Sequence, residues 1–172
     1  NGILRGIKGD FYEGGIRVPF TMQWPSKIKP GTIYDKPIIA LDVFATAASA
    51  ASAEKYIRND IDGVDLLPYI TGEKSGLPHK YLYWQNPDKD IDVVRDERYK
   101  YIRIKEDEYI FDLKNDISEE TNIIDSSKPI YDRLKSQFKE WEKEMIDPVF
   151  MDLGMGREYN KLNPDRWYDT NQ

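Results

Sequence analysis

The sequence predicts an α+β unit, a small antiparallel sheet covered by one amphipathic helix, with a glycine-rich loop and short helices ahead of it. Four β-rich runs, at 81–85, 92–95, 99–105 and 108–113, are separated by short polar turns such as Asp96-Glu97-Arg98 and Glu106-Asp107, the pattern of a meander. Beyond them Ile130, Leu134, Phe138, Trp141 and Met145 recur at spacings of four, four, three and four, which puts one apolar stripe on a helix from about 128 to 145. Laid across the apolar face of the meander, that stripe closes a core. The chain has 172 residues, 40% of them hydrophobic, with 12 Tyr, 6 Phe and 4 Trp. That is enough for one globular domain and unlike a disordered or low-complexity chain.

The remaining elements follow in chain order. Residues 1–30 are punctuated by Gly2, Gly6, Gly9, Gly14 and Gly15 and read as a loop. It runs into Val18-Pro19-Phe20-Thr21-Met22-Gln23-Trp24, closed by Pro25, which predicts a strand at about 18–24. Asp42 reads as the N-cap of the alanine-rich helix formed by Val43 to Ala51. Asp62-Gly63-Val64-Asp65 then predicts a turn, followed by a short helix carrying Leu66, Leu67 and Ile70 and a stop at Gly72. In the third β run Lys100, Ile102 and Ile104 share one face, while Tyr99, Tyr101, Arg103 and Lys105 share the other. Ser127 is placed to cap the long helix, and Pro129 fits its first turn. The tail after Pro148, with Trp167 and Tyr168, reads as an extended wrap with aromatic anchors.

Composition removes several classes of function. There is no cysteine, so disulfides, thiolate zinc sites and cysteine nucleophiles are excluded within the chain, and His79 is its single histidine. The net charge is −6, with 10 Lys+Arg against 9 Asp+Glu in residues 1–80 and 15 against 22 in residues 81–172. A polyanionic backbone needs clustered positive charge, so no nucleic-acid partner is expected. The longest weakly polar run, Leu41 to Ala53, contains Asp42, Thr46, Ser49 and Ser52 and falls short of the roughly 20 apolar residues that span a bilayer, so no membrane partner is expected either. The opening Asn1-Gly2-Ile3-Leu4 carries no signal segment and is expected to be a cut within a longer polypeptide.

One segment points to chemistry. Arg5-Gly6-Ile7-Lys8-Gly9-Asp10-Phe11-Tyr12-Glu13-Gly14-Gly15-Ile16-Arg17 displays a lysine among glycines, which allow close backbone approach to a ligand. An ammonium there suits a compact anion, as a point charge with three donors. The plain alternative is a solvated surface lysine.

The same run, with Val18-Pro19 and Trp24-Pro25 after it, resembles the C-terminal part of type I sulfatases, the arylsulfatase branch of the alkaline phosphatase superfamily. The resemblance continues through Leu41-Asp42-Val43-Phe44-Ala45-Thr46, Asp62-Gly63-Val64-Asp65-Leu66-Leu67-Pro68 with Thr71-Gly72-Glu73, and Leu82-Tyr83-Trp84. Val94-Arg95-Asp96 with Tyr99-Lys100-Tyr101, Phe111-Asp112-Leu113 with Asn115-Asp116, and Glu119-Glu120-Thr121-Asn122 complete it in the family's order, over about residues 4–146. The family often has glycine where Ile7 stands.

The resemblance implies an α/β protein. Residues 1–78 would be the C-terminal end of a catalytic α/β domain, contributing its last strand and helices. Residues 79–146 would be an antiparallel-sheet and helix subdomain, and 147–172 an extended tail. It also implies sulfate ester hydrolysis, with Lys8 as the active-site lysine on a sulfate oxygen and with Trp84 and Gln85 in a region that can face the substrate. The family's formylglycine nucleophile and calcium would come from the missing N-terminal part of the same enzyme. This segment would bind neither, and alone would not turn over substrate. The resemblance implies a sulfated small molecule or carbohydrate as partner; the family's enzymes are commonly exported or lysosomal, which leaves this chain's own compartment unknown. Two rivals stay open: a phosphodiesterase or phosphonate monoester hydrolase of the same superfamily, and a noncatalytic binding module using the aromatics around Trp84 and Trp167.

Other residues read as structural. Glu13 and Arg17 would brace the loop through hydrogen bonds, His79 would be a loop or supporting histidine, and core packing competes with ring stacking at Trp84. Asp88, Asp90 and Asp92 alternate like a calcium loop, but they lack its glycine and terminal glutamate and read as a solvated turn.

Overall fold

The computed structural model describes residues 1–146, within which the four β runs form one antiparallel sheet. Its strands are β1 (Leu82–Asn86), β2 (Ile91–Arg95), β3 (Tyr99–Ile104) and β4 (Asp107–Asp112), in the spatial order β1-β2-β3-β4. The helices are α1 (Glu13–Ile16), α2 (Asp42–Ala50), α3 (Leu67–Ile70) and α4 (Lys128–Glu142). Among the described residues no helix is long and apolar enough to cross a membrane.

Strand register creates two distinct faces. Val94 lies opposite Tyr101, and Tyr101 opposite Ile110; on the other side Trp84, Val93, Ile102 and Tyr109 follow one another across the sheet. The first face receives α4. Leu134 and Phe138 are buried against Val94, Tyr101 and Ile110, with Ile130 and Trp141 at the margins, so the periodic stripe meets the face it needs. Trp141 stacks on Tyr83 at 5.0 Å between ring centroids. Glu108 ties helix to sheet, accepting from Tyr131 Oη (2.7 Å) and Lys135 Nζ (2.6 Å) as well as from Tyr101. The second face, built on Val93, Ile102, Phe111 and Leu113, is covered by Phe11 and Tyr12 of the glycine-rich loop. Both faces are therefore buried, which explains the imperfect alternation in β3.

Several expectations are corrected. Residues 18–24 form no strand: a strand needs a neighbour for its N–H and C=O groups, and the four strands among the described residues pair with one another. Val18 and Phe20 are exposed instead. Asp42 does not cap α2. Its buried carboxylate turns back to accept from the Ile39 N–H (2.9 Å) and, across the fold, from the Val64 N–H (2.8 Å). Ser127 makes no side-chain cap; its carbonyl accepts from the Ile130 and Tyr131 N–H groups. Asp92 is buried rather than solvated, because Arg103 bonds it while also pairing with Asp90; the side chain of Asp88 lies outside the described set. The wrap expected beyond Pro148 lies outside the described residues.

Candidate functional site

Lys8 sits at the tip of a tight turn, Ile7 to Asp10. The Asp10 N–H donates to the Ile7 carbonyl (2.9 Å), and the Asp10 carboxylate accepts from the Ile7 N–H (2.8 Å), so the turn is closed twice. Gly9, the residue after the lysine, has φ +98°, a conformation that a side chain would strain. Lys8 is exposed and has no hydrogen-bond or ion-pair partner among the described residues.

The double glycine explains why this turn stays where it is. A methyl group placed on Gly15 would lie 2.1 Å from the Asp10 carbonyl oxygen, and one on Gly14 would lie 2.5 Å from the carbonyl oxygens of Arg5 and Gly6. The Gly14 N–H donates to the Arg5 carbonyl (2.7 Å). The lysine turn therefore lies directly on the backbone of α1, closer than any side chain would allow.

Beneath α1 is a buried ion cluster. Glu13, the first residue of α1, is fully buried. Its carboxylate accepts from Arg95 Nη1 (3.1 and 3.0 Å) and from Lys100 Nζ (3.1 Å). Lys100 Nζ also lies 2.8 Å from Glu119 Oε1, an ion-pair separation whose angle falls short of hydrogen-bond geometry, which leaves that oxygen without a hydrogen bond. At 2.8 Å the attraction between the two charges does not depend on that angle. Glu119 Oε2 accepts from the Glu13 N–H (2.6 Å), and the Glu119 carbonyl accepts from Arg5 Nη1 (2.7 Å). Burial drives the Glu119 carboxyl above the usual range, and Lys100 only partly offsets it.

The braces expected at Glu13 and Arg17 are unequal. Glu13 anchors the loop, whereas Arg17 reaches it only at 3.9 Å from an exposed position. His79 Nε2 lies 2.7 Å from Asp42 Oδ1 and supports the segment joining α2 to α3. Burial raises the Asp42 carboxyl, but the bonds from His79 and from the Ile39 and Val64 N–H groups outweigh it and hold the group below its ordinary value. Trp84 and Gln85 project to opposite faces of β1. Trp84 packs partly buried beside Phe11 on the lysine-loop side, while the Gln85 amide donates to Glu142 (3.0 Å) at the end of α4. Both border a shallow groove along the β1 edge, with Phe11 and Trp141. Among the described residues no group of three or more Asp, Glu or His side chains could hold a metal ion.

The N-sulphoglucosamine sulphohydrolase C-terminal family model matches residues 8–145, beginning at the turn lysine. The chain belongs to the sulfatase family. Its residues correspond to the C-terminal region of a type I sulfatase. The uncharacterized sulfatase YdeN of Escherichia coli (strain K12) is 37% identical over 114 residues, covering 63% of this chain and 20% of that protein. Steryl-sulfatase of Mus musculus is 41% identical over 83 residues, covering 48% and 13%. Among solved structures, Ps i-CgsB in complex with k-i-k-neocarrahexaose superposes with a TM-score of 0.78 at 24% identity, over 96% of this chain and 37% of that one. The sulfatase segment thus spans well under half of each of these relatives.

Reading residue types along the sequence missed the ion cluster. A lysine among Tyr99, Tyr101 and Ile102 was the available signal for Lys100. Glu119 was visible only as part of a family motif, with nothing to say that it meets Glu13, 106 residues away.

Proposed function

We propose that in the full-length protein this segment supplies one wall of a site that hydrolyses sulfate esters, with Lys8 neutralising negative charge on the sulfuryl group. The observation that carries the reading is a single one: an exposed ammonium, without a partner among the described residues, at the tip of a twice-closed turn lying on α1. Cleaving a sulfate ester builds negative charge on the leaving oxygen and the sulfuryl oxygens. A cation already in place lowers that barrier without reorganisation. Trp84, beside Phe11, offers an aromatic face for a sugar or aryl ring, and Gln85 a polar edge to the same groove. The proposed substrate class is a sulfated carbohydrate, the class suggested by the k-i-k-neocarrahexaose in the Ps i-CgsB complex, or an aryl sulfate.

The formylglycine nucleophile and the calcium that the family implies would come from polypeptide outside this chain, whose described residues do not fit a metal site, so no step is routed through either. In this reading residues 1–78 are the C-terminal end of the catalytic α/β domain. Exposed large apolar side chains are concentrated in residues 3–56, among them Ile3, Ile7, Val18, Phe20, Val43 and Phe44, and such surfaces ordinarily meet a partner. The segment alone is expected to be inactive.

Lys8→Ala in the full-length protein should lower kcat/KM for 4-nitrophenyl sulfate by on the order of 100-fold or more, as for loss of one electrostatic stabiliser. Wild-type kinetics would overturn the reading.

A further inference from the structure

Glu119 has three features that a surface turn residue does not need. It is fully buried and carries a charge-bearing side chain. Its φ is +56°, a left-handed conformation that strains a non-glycine residue. It also grips both legs of the lysine turn. Its carbonyl holds the Arg5 guanidinium, three residues before Lys8, and its carboxylate holds the Glu13 N–H, five residues after. Arg5 is steadied further by lying 4.0 Å over the Tyr12 ring.

We propose that Glu119 is a positioning residue for Lys8, acting as a two-point clamp that fixes the lysine turn on the sheet, with Lys100 fixing the clamp itself and Arg95 fixing the Glu13 that it holds. The proposal rests on the reading of Lys8 as the sulfate-binding cation. The path of influence is continuous. Lys100, on β3, holds Glu119 and Glu13; Glu13 begins α1; the α1 backbone at Gly14 and Gly15 touches the turn that carries Lys8. A displacement of about 1 Å at a positioned cation is enough to cost up to 100-fold in rate, and neutralising Glu119 removes the charge that holds the clamp to β3.

A double-mutant cycle in the full-length protein, with 4-nitrophenyl sulfate as substrate, tests this. Glu119→Gln should lower kcat/KM on the order of 10-fold, mainly through kcat. Combined with Lys8→Ala it should add almost nothing, because no cation is left to position. Leu134→Ala, on the opposite face, serves as the control for plain destabilisation, and its effect should be the same with or without Lys8. Should Glu119→Gln fail to fold, Arg5→Gln loosens the clamp from its exposed leg and should cost about 3-fold, again only when Lys8 is present. Independent, multiplying losses for Glu119 and Lys8 would overturn the clamp while leaving the sulfatase reading intact. A Lys8→Ala variant with wild-type kinetics would overturn both.

Discussion

On the side of the sheet covered by α4, Val94, Tyr101 and Ile110 meet Leu134 and Phe138, and polar groups stay at the margin around Glu108. On the opposite side, Val93, Ile102 and Phe111 share their surface with Lys100, Arg95, Glu13 and Glu119, and what they hold is a loop. Apolar attraction is non-directional and holds the helix down through shape fit alone. A buried ion cluster is a poor way to gain stability, since desolvation offsets most of its attraction, but its hydrogen bonds are directional. The helix face therefore suits holding the subdomain together, and the loop face suits presenting Lys8.

The largest effect should come from breaking the loop face at its centre. Lys100→Met leaves Glu119 buried without its cation and Glu13 with Arg95 alone, and should destabilise by about 3–5 kcal/mol, read from the urea midpoint of the full-length protein. Leu134→Ala on the helix face should cost about 2–5 kcal/mol through transfer and cavity terms, with KM for 4-nitrophenyl sulfate unchanged. A loss of substrate affinity there would mean the faces are not separable. Gly15→Ala, which forces the lysine turn off α1, should cost about 1–3 kcal/mol and lower kcat as well.

The smallest effect, and the one that most sharpens the contrast, is on pH. At Glu108 burial pushes the carboxyl up, but bonds from Lys135, Tyr101 and Tyr131 prevail and hold it at about 2, below its usual 4.5. A carboxyl lowered in the folded state contributes stability that is complete above pH 4.5 and lost as pH falls towards 2. Glu119 is raised, so its contribution has the opposite sign, present below about 4.5 and lost as pH rises through its folded value. Thermal unfolding from pH 2 to 7 should accordingly show a shallower acid limb for Glu108→Gln. Glu119→Gln should leave that limb in place and lessen the decline at higher pH. Parallel curves for the two variants would contradict the assignment of opposite environments.

The difference between the faces also governs what could be read in advance. The meander and α4 were legible because each buries a contiguous apolar pattern, with a period of two in the strands and 3.6 in the helix. Lys8 was legible as a lysine among glycines. Strand 18–24 was misplaced because β propensity says nothing about whether a partner strand is present, and Asp42 was misread because a helix-start aspartate also serves as an acceptor for distant N–H groups.

Local pattern alone therefore determined the meander, α4 and the lysine's display, since each depends on neighbours within a few residues. Only the tertiary structure decided that Glu13, Arg95, Lys100 and Glu119 form one cluster and that this cluster lies under the lysine turn. Charges that far apart in the chain meet only when the sheet folds, and a buried ion is tolerated only where its partner arrives at the same time.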